Sequence, residues 1–206
     1  MNNKSDIHYL RKLNHSIPGL VIFILIFFNL IPIELMKYMI FAFYLIISFV
    51  EIFRLTHPPF NDIFCKYLYF LLRNKEKKQP TTTTFYLLSL SILLLFTPIE
   101  NFYIGLMTLA IGDPLASIIG IKNKDNINNY KFPNNKSLYG SLMLSFTGLL
   151  FSIIFLVSYS YDFQKVLNYA VIYAINLFLL ESFVKHLDDN LYIPLLTIVS
   201  YLLIII

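Results

Sequence analysis

The sequence predicts an all-α fold, a polytopic membrane bundle of about seven transmembrane helices with its N-terminus cytoplasmic and one amphipathic helix lying at the interface. Charged side chains make up 14% of the 206 residues and apolar ones 57%, where a soluble domain carries roughly 25% charged. Mean hydropathy is +0.67. The apolar residues fall in runs near the ~20 residues that a bilayer requires, separated by short polar segments. No internal repeat or linker divides the chain, so residues 1–206 read as one domain.

Residues 1–16 are polar and include Arg11, Lys12 and His15. Ser16 and Pro18 suit a helix start, and residues 17–33 form the first expected span. This run is too long for a signal-peptide core, and no small-residue cleavage site follows it. Residues 35–54 are the second span, closing on Glu51 and Arg54 before Pro58 and Pro59 stop it. Residues 61–73 place Asp62, Lys66 and Arg73 on one helical face with apolar residues over the rest, the pattern of an interfacial helix. A basic loop, 74–84, ends in threonines able to cap the next helix.

Further spans are expected over 84–98, 102–121, 141–160, 165–184 and 190–206, with an Asn-rich loop at 122–136. This register puts 14 of the 16 Lys and Arg on the inner side, leaving only Lys37 and Lys165 outside. The basicity, net +4, therefore reads as membrane topology and lipid phosphate rather than nucleic-acid binding. A lone cysteine, Cys65, rules out an internal disulfide or a cysteine-based zinc site in this chain.

Within the fourth span the stretch LAIGDPLASIIG, residues 109–120, carries Asp113 and Pro114. An acid at membrane depth is costly, rarely faces lipid and marks a candidate site. Asp113 lies eight residues before Ile121, roughly 12 Å below the inner surface of a continuous helix at about 1.5 Å per residue. Pro114 suggests a break, tolerated at that depth where backbone lines a cavity. Gly112, Ala116 and Gly120 recur every fourth residue and form a small-residue face for close helix packing.

The other out-of-place polar groups fall on the same side. Asp113, Glu181, Asp188 and Asp189 are hard oxygen donors, and magnesium on a nucleotide is held by one or two carboxylates plus phosphate oxygens. Asp113 and Asp189 are the candidate metal ligands and catalytic carboxylates, since a carboxylate also takes the proton of an attacking hydroxyl. Asp188 and Asp189 equally suit the N-cap of the last span, and Glu181 a surface pair with Lys185. Arg11, Lys12 and Arg54 are candidate phosphate clamps. Against this, Arg11 and Lys12 are ordinary topology signals, Arg54 can pair with Glu51 three residues earlier, and His15 is a supporting candidate only. Lys136, Ser137, Gly140 and Ser141 lie where a helix begins and its free amides attract phosphate, and the same pattern also suits an N-cap with a snorkelling lysine; Glu51, Gly112, Glu181 and Asn190 are supporting site candidates. The earlier glycine and buried strand of a P-loop are absent.

Taken in order, R-K-x-x-H (Arg11 to His15), E-x-x-R (Glu51 to Arg54), G-D-x-x-A-x-x-x-G (Gly112 to Gly120), K-S-x-x-G-S (Lys136 to Ser141) and E-x7-D-N-L-x-x-P (Glu181 to Pro194) resemble the polyprenol kinase family. That family includes dolichol kinases, phytol kinases and CTP-dependent diacylglycerol kinases. The resemblance covers nearly the whole chain, and the G-D, K-S-x-x-G-S and D-N-L-x-x-P blocks are its specific parts. It implies transfer of the γ-phosphate of CTP to a membrane lipid alcohol, with Mg2+ or another divalent cation, by a multi-pass enzyme whose site faces the cytoplasm. The family commonly has Glu where this chain has Tyr139. A phosphatidate cytidylyltransferase, which attacks the α-phosphate of CTP, is the nearest alternative, but no His-Gly-Gly occurs and no Asp is followed by Arg. A transporter or flippase would be expected to show repeat symmetry and paired broken helices.

Overall fold

The computed structural model describes residues 16–68, 72, 74–123, 130–185 and 187–204. Arg11, Lys12 and His15 lie outside them. The described secondary structure is all helix, apart from one isolated antiparallel bridge between Lys131 and Ser137. Its helices are α1 (Ser16–Phe27), α2 (Ile33–Thr56), α3 (Pro58–Tyr67), α4 (Thr82–Phe96), α5 (Ile99–Met107), α6 (Asp113–Lys122), α7 (Leu138–Ser158), α8 (Phe163–Phe183) and α9 (Asp189–Ile204), with a short 3-10 turn at Asn74–Lys77.

Four helical stretches are long and apolar enough to cross a membrane: α2, the continuous run Ile99–Lys122, α7 and α8. Helices α1, α4 and α9 are apolar but shorter. The expected first span, 17–33, is interrupted. Asn29 adopts φ +52°, its N–H bonds the Ile26 carbonyl at 2.9 Å, and Pro32 then starts α2. Asn tolerates this left-handed turn better than most residues, and it closes the helix in the manner of a C-cap.

The break expected at Pro114 is a π-turn instead. Residues Thr108–Gly112 form it, and the Asp113 N–H reaches back five residues to the Thr108 carbonyl. Proline has no N–H to give and its ring clashes with the carbonyl four residues back. One extra residue in the preceding turn absorbs that misfit, so α5 and α6 stay one rod.

The small-residue face of α6 packs on α7. A Cβ at Gly112 would meet Thr147 Oγ1 at 2.5 Å, one at Gly120 would meet Ser137 Oγ at 2.6 Å, and one at Gly140 would meet the Ala116 carbonyl oxygen at 3.0 Å. The last contact is with backbone, which cannot swing aside. Around this seam Leu90, Phe102, Leu106, Leu144, Tyr173 and Ile193 form a closed core.

The start of α9 packs against the middle of α4, where Ser89 donates to the Asn190 carbonyl at 2.7 Å. Other contacts group helix ends. Arg54, closing α2, donates to the Gln79 carbonyl at 2.8 Å, just before α4. Ser137, opening α7, lies against Gly120 near the end of α6. At the other end buried Glu100, in the first turn of α5, accepts from Tyr161 in the turn between α7 and α8.

Candidate functional site

The site begins with a short loop. Residues 130–137 fold back so that the Phe132 N–H bonds the Lys136 carbonyl at 2.9 Å and the Leu138 N–H bonds that of Tyr130 at 2.8 Å. Asn135, at φ +66°, makes the turn. Buried Phe132 packs edge-on against Phe178 and Phe183 of α8, with centroids 6.0 and 5.6 Å away. Asn134 ties the loop down. Its amide donates to the carbonyls of Glu181 (2.7 Å) and Val184 (3.1 Å), and its side-chain oxygen accepts from the Lys136 N–H at 3.1 Å. The last carbonyls of a helix lack intrahelical donors, so Asn134 caps α8 and aims Lys136 in one arrangement.

Lys136 then bridges two helices. Its ammonium lies 2.9 Å from Glu181 Oε1 at the end of α8 and 3.1 Å from Asp189 Oδ2 at the start of α9. The other Glu181 oxygen accepts from the Tyr192 hydroxyl. Burial works against the charge on Lys136, but the carboxylates of Asp189, Glu181 and Asp113 outweigh it and hold the ammonium above its ordinary range. Asp113 is buried in the first turn of α6, and its charge is one of those that raise the Lys136 pKa. Three separate sequence blocks thus meet at one lysine.

Outside the cluster lies a cleft of about 150 Å³ lined by Lys75, Asn134, Lys136, Lys185, Asp188 and Asp189. Lys75 comes from the 3-10 turn and lies 3.9 Å from Asp188 Oδ2. Asp188 Oδ1 also accepts the Asn190 N–H at 3.2 Å, so the expected capping role for this acid is met. Asp189 is 21% exposed and Lys136 35% exposed, and both face the cleft.

The remaining candidates have other surroundings. Ser137 caps α7, accepting the Gly140 N–H at 3.1 Å. That leaves Gly140 on the α6–α7 seam with its amide engaged, and Gly112 on the same seam. Ser141 is fully buried, and its hydroxyl has no hydrogen-bond partner among the described residues. Buried Asn190 joins α4 and α9.

Arg54 is placed apart from the cleft. Its side chain is 0% exposed, held by Glu51 Oε2 at 2.6 Å, Asn61 Oδ1 at 3.0 Å and the Gln79 carbonyl, and stacked 5.0 Å from the Phe64 ring centroid. This guanidinium presents no surface to a phosphate.

The residues that sequence reasoning missed are Asn134, Lys75, Lys185, Tyr192 and Glu76. Glu76 accepts both the backbone N–H and the hydroxyl of Thr82 and so caps α4, where the threonines themselves were the expected caps. The one available signal for Asn134 was its place two residues before Lys136. Among the described residues no three His, Cys, Asp or Glu side chains form a metal-binding group. The chain has no match among family models, curated proteins or solved structures.

Proposed function

We propose that the protein phosphorylates the hydroxyl of a membrane lipid alcohol, a polyprenol, phytol or diacylglycerol, using CTP at the Lys136 cleft. The observation that carries this is the convergence of Asp113, Lys136, Glu181 and Asp189, drawn from the three motifs most specific to the family that the sequence resembles. Lys75, Lys136 and Lys185 supply positive charge for a triphosphate tail on a polar rim. Glu181 has both oxygens engaged, which makes it the positioning residue for Lys136.

Asp113 and Asp189 offer hard carboxylate oxygens, a donor set that suits magnesium bound chiefly through phosphate. The metal, when bound, would neutralise charge on the transferred phosphoryl group. In the reaction the lipid oxygen forms a bond to the γ-phosphorus as the bond to the β-phosphate oxygen breaks, releasing CDP. The hydroxyl proton passes to a carboxylate of the Asp113–Asp189 pair. The reading includes seven spans, a cytoplasmic N-terminus and a cytosol-facing cleft, because the positive charge of the loops favours that register.

The test is a grid of nucleotides against lipid alcohols with purified protein in detergent and magnesium. Formation of CDP and a lipid monophosphate is expected. Release of pyrophosphate with a CDP-lipid would show a cytidylyltransferase instead, and no turnover in any well would overturn the enzyme reading.

A further inference from the structure

Along α9 the polar groups that face the core are closed one level at a time. Pro194 has no N–H to give, which leaves the Asn190 carbonyl without its helical donor, and Ser89 supplies one at 2.7 Å. Tyr173 donates to the Ile193 carbonyl at 3.2 Å, Thr197 to that of Pro194 at 2.6 Å, and Tyr169 to that of Thr197 at 3.3 Å. The next level is different. Asn101 of α5 and Ser200 of α9 are both 0% exposed. Yet both polar atoms of the Asn101 amide and the Ser200 hydroxyl have no hydrogen-bond partner among the described residues. We propose that water is bound between α5 and α9 at Asn101 and Ser200, a hydration site in the half of the bundle away from the cleft. The site is independent of the kinase reading.

Helix register brings the two residues to one level. Helix α5 starts at the end away from the cleft, where Glu100 meets Tyr161, and α9 starts at the cleft with Asp189. The two therefore run antiparallel. They touch at Gly105, where a Cβ would meet the Pro194 Cα and the Thr197 Cγ2, each at 3.3 Å. One turn further from the cleft lie Asn101 on α5 and Ser200 on α9, on the faces that carry Gly105 and Thr197. Tyr169, bonded to the Thr197 carbonyl, borders the same level from α8.

The unmet atoms select the ligand. Buried polar groups in folded proteins bond to protein or to ordered water, because leaving them unmet is costly. Asn101 Nδ2 donates, its Oδ1 accepts, and Ser200 Oγ does either. A bare cation would leave the Nδ2 hydrogens unmet, and an anion would leave Oδ1 unmet. Water gives a hydrogen to Oδ1 and accepts one from Nδ2 or from Ser200. A buried water makes about three such bonds, and Asn101 and Ser200 offer an open atom for each.

The experiment is hydroxyl-radical footprinting by X-ray radiolysis of the full chain in nanodiscs, with oxidised residues mapped by mass spectrometry. Radicals formed on bound water oxidise neighbouring side chains that bulk solvent does not reach. Tyr169 and Tyr103 make an internal comparison. Both are buried, but Tyr103 packs against Phe23 and Phe155 in an aromatic cluster. Tyr169 is expected to be oxidised several-fold faster than Tyr103. Asn101→Leu, of similar volume and without hydrogen-bonding groups, should remove that excess, and Ser200→Ala should reduce it. Continued protection of Tyr103 checks that each variant folds, and where Asn101→Leu fails that check Ser200→Ala decides. The wild-type comparison needs no variant. Equal protection of the two tyrosines in the wild-type chain would overturn the site and leave Asn101 and Ser200 to pair directly. An excess at Tyr169 that persists in the folded variants would place the water elsewhere and overturn it as well.

Discussion

Arg54 and Lys136 each neutralise a buried glutamate near one end of the bundle, yet their surroundings differ. Arg54 is sealed. Four groups hold its guanidinium, none of the side chain is exposed, and its Nε has no hydrogen-bond partner among the described residues. Lys136 sits on a rim, shared between two carboxylates from different helices and facing an open cleft. A sealed pair of this kind serves the fold, because burying it is costly unless most of its donors and acceptors are met inside the protein. A pair on a rim keeps a side free, so a ligand of matching charge can exchange with the internal partners. The difference separates a holding group from a binding group among residues that look alike in sequence.

Arg54 should carry the larger stability effect of the two. Removing one member of a buried ion pair costs about 3–5 kcal/mol, whereas replacing both with apolar residues is often neutral. Arg54→Met should lower unfolding stability in detergent by that amount, and Glu51→Leu in the same chain should restore most of it. Recovery absent in the double variant would argue against a self-contained pair.

Lys136→Met should cost less stability, about 1.5–3 kcal/mol, the range for hydrogen bonds to charged groups. Its larger effect should be on turnover, a loss of about 10²–10³ if the ammonium stabilises transferring phosphate. Initial rates against CTP concentration check this, and an unchanged nucleotide dependence would return Lys136 to a purely structural role. Asn134→Ala should act in the same direction but more weakly, costing about 1–2 kcal/mol through the lost α8 cap and a less fixed Lys136.

The smallest effect concerns pH. The ammonium of Lys136 is held above the ordinary lysine value of 10.5. A raised lysine pKa contributes stability that is fully present below the unfolded value and fades as pH rises through the folded one. Stability from this cluster should therefore stay flat from neutral pH to about 10 and decline only beyond it. A midpoint for its loss near pH 8–9 in unfolding scans would contradict the assigned partners.

The helices and their order were legible because apolar runs bounded by proline and polar clusters leave few alternatives in a bilayer-like composition. Their lengths were less so. Asn29 shortens α1 through a positive φ that no hydropathy pattern reveals, and Pro114 produced a π-turn where a break was expected. In the site, acids and bases in separate blocks could be grouped by side, since successive spans reverse direction and return them to the same end. The partners could not be read. Glu181 has Lys185 four residues away, yet it pairs with Lys136, a contact created by the fold of the 130–137 loop. Arg54 looked like a phosphate clamp because burial is a property of tertiary packing, which spacing does not encode.

Nucleotide binding at the Lys136 cleft can be read by lysine footprinting, acylation followed by mass spectrometry with and without CTP and magnesium. Lys75 and Lys185 line the cleft and are exposed, while exposed Lys165 lies in the first turn of α8 at the opposite end. Nucleotide is expected to slow acylation of Lys75 and Lys185 and to leave Lys165 unchanged. Equal reactivity of all three with and without nucleotide would contradict it.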